Sequence, residues 1–199
     1  MATAEPPKTD MHTPASAKAI CVFCGSSLGA DPKFAQAARE LGALIGTHGY
    51  RMVFGGGSIG LMGETARAAR DAGARVISVI PTFLSHLEPP LRSPDELFIV
   101  DTLFARKQKM MELADAFVVL PGGLGTMDEF FEVLGSAQLG QHEKPIVLVN
   151  LDGYFAPLLA LVDHIVQSGF AHYEFASHYR VVTSPDEAMA ALNKAFTPA

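Results

Sequence analysis

The segment Ala116-Phe117-Val118-Val119-Leu120 contains no polar side chain. Successive residues of a strand point to opposite faces, so a strand of this kind must be covered on both sides. Parallel sheets wrapped by helices meet that requirement. Further strand-like runs occur at residues 19–24, 51–54, 75–80, 97–100, 146–150 and 179–183, and segments with helical patterning lie between most of them. Strands alternating with helices predict an α/β fold, a Rossmann-like doubly wound parallel sheet with helices on both faces. The chain has 199 residues and is 49% hydrophobic, enough for a sizeable core, and a single domain is expected over residues 19–199.

Local signals place the helices. Asp31-Pro32 reads as an N-cap and first helical position, with a stop near Gly49. Helices are also expected from about Leu61 to Asp71, Leu103 to Ala114 and Tyr154 to Ser168. Ser184-Pro185-Asp186-Glu187 combines a cap, a proline and a capping-box acid. Residues 82–96 are rich in proline and charge, and a loop of that length in a compact domain is often functional. Residues 1–18 are polar and hold Pro6, Pro7 and Pro14, so they read as a disordered tail without the apolar centre of a signal peptide. The expected location is the cytoplasm. The net charge is −6 without a basic patch, and no apolar run reaches membrane-spanning length, so neither nucleic acid nor membrane is an expected partner.

The most informative turn is Pro121-Gly122-Gly123-Leu124-Gly125-Thr126-Met127-Asp128-Glu129, set between a strand and a helix. Glycines let a ligand approach the backbone, and the first N–H groups of a helix lack intrahelical partners, which together make an anion site. Thr126-x-x-Glu129 is equally a capping box. No Gly-Lys-[Ser/Thr] follows the glycines, which argues against a nucleoside triphosphate with magnesium.

Gly55-x-Gly57-x-x-Gly60 fits a dinucleotide fingerprint, but the strand that follows ends Ser78-Val79-Ile80-Pro81 without the acid that would hold a ribose. The loop reads either as a tight turn or as a place where a nucleotide lies across the backbone. Arg106 and Lys107 fall within the apolar stripe of their helix, which requires partners for both or a route to solvent for their heads. Cys21 and Cys24 lie on a buried strand, where residues three apart point to opposite faces, and are read as structural. The seven histidines show no metal-ligand spacing.

Several of these segments together resemble the LONELY GUY (LOG) family of cytokinin riboside 5′-monophosphate phosphoribohydrolases, also labelled lysine-decarboxylase-like. The family pattern P-G-G-x-G-T-x-x-E is matched by Pro121 to Glu129. Cys24-Gly25-Ser26-Ser27, Gly55 to Gly63 and Gln138-Leu139-Gly140-Gln141-His142-Glu143-Lys144-Pro145 are also similar to it. The family's M-H-x-R-K appears as Leu103-Phe104-Ala105-Arg106-Lys107, and its T-W before Q-L-G is replaced in a chain that has no tryptophan. The resemblance implies hydrolysis of the N-glycosidic bond of a purine nucleoside 5′-monophosphate, AMP or an N6-substituted AMP, with Arg106 and Glu129 catalytic. It implies substrate contacts from Ser26, Gly57, Ser58, Met62, Glu88, Lys107, Gly122, Gly123, Gly125, Thr126 and Asp128. It implies no metal or organic cofactor, and a homodimer. The alternative is a non-catalytic carrier of a nucleotide or molybdopterin cofactor on the same fold. Retention of both Arg106 and Glu129 argues for the enzyme.

Overall fold

The structure is a computed structural model that describes residues 13–85, 94–172 and 177–197. Seven parallel strands form one sheet: β1 (Ala19–Phe23), β2 (Arg51–Phe54), β3 (Val76–Pro81), β4 (Glu96–Val100), β5 (Ala116–Val119), β6 (Ile146–Val149) and β7 (Arg180–Val182). Their order is β4-β3-β2-β1-β5-β6-β7, so the chain winds outward in both directions from β1. The direction of winding reverses between β1 and β5, which pair from Ile20↔Ala116 to Phe23↔Val119. A crevice opens at that switch point beyond the carboxyl ends of the strands.

The apolar strands divide their side chains between two cores. Ile20, Val22, Met52, Phe54, Val118 and Leu120 pack on one face, with Leu41, Ile45, Met189 and Leu192 from helices. Cys21, Phe23, Val53, Phe117 and Val119 pack on the other, with Met110, Phe130 and Leu134. Cys24 belongs to the first core and Cys21 to the second, as strand periodicity required. Both are buried free thiols, and burial pushes both pKa values up.

The helices are α1 (Pro32–Thr47), α2 (Gly60–Asp71), α3 (Thr82–Ser85), α4 (Leu103–Leu113), α5 (Leu124–Gln138), α6 (Ala156–Gln167) and α7 (Pro185–Phe196). The Asp31 carboxylate accepts from the Lys33 N–H to start α1, and Gly49 follows its end with φ of 73°. At α7 the Ser184 hydroxyl accepts from the Glu187 N–H at 3.2 Å. Glu187 accepts in return from the Thr183 N–H at 2.7 Å, one residue upstream of the cap itself. No described helix is long and apolar enough to cross a membrane.

Three expectations change. Thr82 to Ser85 is a short helix rather than loop, while residues 86–93 lie outside the described part. A 3-10 turn at Leu151–Gly153 precedes α6, which starts two residues later than expected. Within the expected tail, Thr13 donates from its N–H and hydroxyl to the Gly73 carbonyl at 3.0 Å, and Lys18 bonds Asp115 at 2.8 Å. The polar sequence of that segment hid these bonds, because they are made to two loops distant in sequence.

α1 and α2 pack closely because glycines face the contact. A Cβ at position 42 would fall 2.2 Å from the Thr65 carbonyl oxygen and 2.9 Å from the Ala69 nitrogen. Alanine favours helix by about 1 kcal/mol over glycine, but overpacking against backbone costs up to about 3 kcal/mol. Gly42→Ala is therefore expected to destabilise the chain by about 2 kcal/mol in urea unfolding. A stabilised variant would show that the two helices separate easily.

Candidate active site

Gly25 ties the crevice together through its backbone. Its N–H donates to the Pro121 carbonyl at 3.1 Å, and its carbonyl accepts from Leu61 and Met62 at 3.0 and 3.3 Å. The loop after β1 is thus bonded both to the loop after β5 and to the first turn of α2. Those bonds occupy donors at the α2 N-terminus. The start of α5 differs: its N-cap is Gly123, with no side-chain cap. The N–H groups of Leu124, Gly125 and Thr126 have no intrahelical acceptor. Of the two glycine-rich helix starts, α5 is the one that presents donors and the positive end of its dipole to a ligand.

The capping-box reading of Thr126 and Glu129 is overturned. The helix begins at Leu124, so Thr126 is already its third residue and is buried. Glu129 lies a turn and a half into the helix, too far along to cap it. Its carboxylate instead faces Arg106, with Oε1 3.7 Å from Nη2. Both side chains are almost sealed from water, at 11% and 12% exposure.

Arg106 is brought there by α4 and by the glycine loop after β2. Its Nη2 donates to the Gly55 carbonyl at 3.3 Å. A Cβ on Gly55 would fall 1.6 Å from Nη2, so a side chain there would displace the guanidinium from this position. Its Nε is buried without a partner among the described residues. A buried donor left unmade is costly, and such groups concentrate where a ligand completes them.

A cavity of about 210 Å³ joins these groups, lined by Cys24, Ser26, Met62, Leu84, Arg106, Gly123, Leu124, Gly125, Thr126 and Glu129. An adjoining cavity of about 250 Å³ shares Ser26 and Gly123 and is walled by Phe34, Leu61, Gly122 and Tyr154, among others. The Tyr154 hydroxyl donates to the Gly122 carbonyl at 2.7 Å, bracing the turn. A larger cleft, about 560 Å³, lies at the opposite edge of the sheet beside His178, Arg180 and Lys194. Among the described residues no carboxylate lines it, whereas the switch-point crevice joins a carboxylate, a guanidinium and a helix N-terminus.

Burial raises the Glu129 carboxyl to a pKa of about 7; Arg106 pulls it down, Asp128 pushes it up and Lys107 pulls it down again. At neutral pH the group exchanges its proton readily, as a site acting at that pH requires.

The structure gathers Arg106, Glu129, Ser26, Met62, Gly123, Gly125 and Thr126 around one space and Gly122 around the next. Gly57 and Ser58 lie outside both linings. The glycines around them serve close packing: a Cβ on Gly60 would fall 2.2 Å from the Ser26 carbonyl carbon, and one on Gly63 2.0 Å from the Ser58 oxygen. Lys107 and Asp128 also stand apart, bonded to each other at 3.1 Å. Glu88 lies outside the described residues. Sequence reasoning missed Cys24, Leu84 and Tyr154. Their positions just after β1, β3 and β6 are the available signal, because ligands of such sheets bind at that edge.

The family model described as "Possible lysine decarboxylase" matches residues 62–192. The probable cytokinin riboside 5′-monophosphate phosphoribohydrolase LOGL1 of Oryza sativa subsp. japonica is 46% identical over 151 residues, covering 76% of this chain and 68% of that protein. The cytokinin riboside 5′-monophosphate phosphoribohydrolase of Rhodococcoides fascians is 42% identical over 176 residues, 88% of this chain and 89% of its own length. Among solved structures, the molybdenum cofactor binding protein of Rippkaea orientalis has a TM-score of 0.72 at 22% identity, covering 92% of this chain and 100% of that one. The molybdenum cofactor carrier protein of Chlamydomonas reinhardtii has a TM-score of 0.69 at 23% identity, covering 89% and 96%. At such identities the two structures establish the shared fold alone. The family model matches more than half of the chain and the curated relatives are more than 40% identical, so the chain belongs to the LOG family of cytokinin riboside 5′-monophosphate phosphoribohydrolases, whose family model bears the lysine decarboxylase description.

Proposed function

We infer that this chain hydrolyses the N-glycosidic bond of a purine nucleoside 5′-monophosphate, giving free base and ribose 5-phosphate. The observation that carries the inference is the buried Arg106–Glu129 pair in a cavity bounded by an uncapped helix N-terminus. The free N–H groups at the start of α5 and the Thr126 hydroxyl take the 5′-phosphate. The departing base leaves positive charge on the sugar, as in other glycoside hydrolyses. The Glu129 carboxylate stabilises that charge and orients water toward C1′. The Arg106 guanidinium does not act as an ordinary acid or base, so it orients Glu129 and pulls the carboxyl pKa down against the effect of burial.

The phosphate does not react, so its binding energy is available to position the sugar. AMP should be hydrolysed and adenosine should not, or at least ~100-fold more slowly, when the released base is quantified by chromatography. Equal turnover would remove the phosphate role of the α5 turn.

Glu129→Gln separates catalysis from folding. AMP hydrolysis should fall by about 10²-fold or more, the scale of losing one preorganised electrostatic group. The stability effect runs the other way. The folded chain keeps a proton on Glu129 between about pH 4.5 and 7 that the unfolded chain has already released. Wild-type stability from this group is therefore full below pH 4.5 and is lost as pH rises through 7. The Gln variant should melt like wild type near pH 4 and above it at pH 8, by at most about 3 kcal/mol. Near-normal turnover of this variant would end the catalytic assignment.

We also propose a homodimer. Met110 and Phe130 are fully buried in the core and offer nothing to a partner. Phe104, Leu124 and Phe131 are exposed on α4 and α5, beside the site. Light scattering at micromolar concentration should report twice the chain mass, and a monomer alone would refute this.

A further inference from the structure

Arg106 and Lys107 are consecutive on α4, and Asp128 and Glu129 are consecutive on α5. The two pairs meet across the helices. Adjacent residues of a helix project about 100° apart, so the inner pair reaches the cavity and the outer pair does not. The inner pair is loose, at 3.7 Å. The outer contacts are tighter: Lys107 Nζ lies 3.1 Å from both oxygens of Asp128 and 2.8 Å from Oε2 of Glu132. Lys107 is 8% exposed, and its ammonium also stands 5.3 Å from the centre of the Phe104 ring.

We propose that Lys107 is a positioning residue: its bonds to Asp128 and Glu132 clamp α4 to α5 and hold Arg106 and Glu129 at a spacing that leaves the pair open to substrate. The proposal rests on the reading of that pair as the phosphoribohydrolase centre. It replaces the expectation that Lys107 and Asp128 touch the substrate. Asp128 and Glu132 are four residues apart, one helical turn, and Glu129 lies between them. One ammonium bonded to both fixes the rotation of α5 as well as its distance from α4, and with it the direction of Glu129. Direct closure of Arg106 onto Glu129 would fill the space that the sugar needs.

The exposures make the clamp testable. Asp128 and Glu132 have side chains 60% and 42% exposed, against 10% for Lys107. Removing the lysine charge leaves two carboxylates in water, and pairs with exposed members contribute little to stability. Lys107→Met keeps the packed stem and should fold. The charged and titratable groups around Glu129 are Arg106 and Lys107 on α4, Asp128 on its own helix, and the Cys21 and Cys24 thiols on β1 and just after it. Loss of Lys107 removes a cation and loss of Asp128 removes an anion, so the two variants should move Glu129 in opposite directions.

The experiment uses the full chain with 13C-carboxyl glutamate, the Glu129 signal assigned by Glu129→Gln, and AMP as substrate. For Lys107→Met we expect kcat at least tenfold lower, KM within threefold of wild type, and Glu129 titrating at higher pH. Lys107→Arg should recover most of kcat, and Asp128→Asn should shift the titration down. A tenfold or greater rise in KM with kcat kept would make Lys107 a substrate ligand and overturn the clamp. Unchanged kcat and titration would reduce it to a surface bridge and also overturn it. If Lys107→Met does not fold, Asp128→Asn decides: a lower kcat with the downward shift supports the clamp, and no change in either overturns it. If wild type hydrolyses no nucleoside monophosphate, the functional reading falls, and the Arg106–Glu129 spacing in a crystal structure of Lys107→Met decides the clamp: a changed spacing supports it and an unchanged one overturns it.

Discussion

Arg106 lies beside Glu129 in space that a side chain at residue 55 would take. Its Nη2 sits where a Cβ would be and bonds the Gly55 carbonyl at 3.3 Å. That contact joins the loop after β2 to α4, and the guanidinium in turn faces α5. The Gly25 backbone supplies the other junction, from the loop after β1 to α2 and to the loop after β5. The crevice at the switch point is thus built from close backbone approaches, and its glycines admit neighbours before they admit a ligand.

The inner ion pair is a compromise between stability and reactivity. Burying a carboxylate is costly unless it is closely paired, and 3.7 Å is a loose pairing. The cost appears as a carboxyl whose pKa rises to about 7 despite an arginine beside it. A tighter pair would lower that cost, but it would hold the carboxylate to the guanidinium and away from a sugar cation. Strain of this kind persists at functional sites when the surrounding structure holds it in place. Here the surroundings are two helices, a bare glycine carbonyl and the outer lysine bridge.

The sheet was legible because its central strands β1 and β5 are apolar along their whole length and helices such as α1 and α7 carry explicit caps. Asp31, Gly49, Gly73 and Ser184 act locally, through bonds within four residues, and local signals can be read from sequence. The site was legible in its residue types and not in its contacts. Thr126-x-x-Glu129 satisfies the capping-box spacing, yet the helix begins at Leu124 because Gly123 adopts the cap conformation. Lys107 and Asp128 sit next to the two site residues in sequence, but helical geometry turns them toward each other outside the cavity. The glycines from 55 to 63 follow a nucleotide-loop pattern, and several are required by close packing against side chain and backbone. The Lys107–Asp128 bond and the packing of Gly55 and Gly60 are set by groups 20 to 60 residues away, which no local pattern encodes.

A chain with a net charge of −6 that binds a phosphate invites an objection from electrostatics. The objection fails on distance. At physiological ionic strength exposed charges are screened beyond about 8 Å, so most of the acidic surface does not reach the crevice. Within it, the α5 terminus supplies roughly half a positive charge and Arg106 a full one. Lys107 adds little, because Asp128 and Glu132 hold its ammonium. Glu129 offsets Arg106 only when ionised, and with a pKa of about 7 it is protonated much of the time at neutral pH. The local balance is therefore positive where the phosphate would sit, and an anionic substrate arriving there would raise the proton affinity of Glu129 further. The charge of Arg106 opposes that rise, and its 3.7 Å separation leaves the carboxylate free to turn to the sugar.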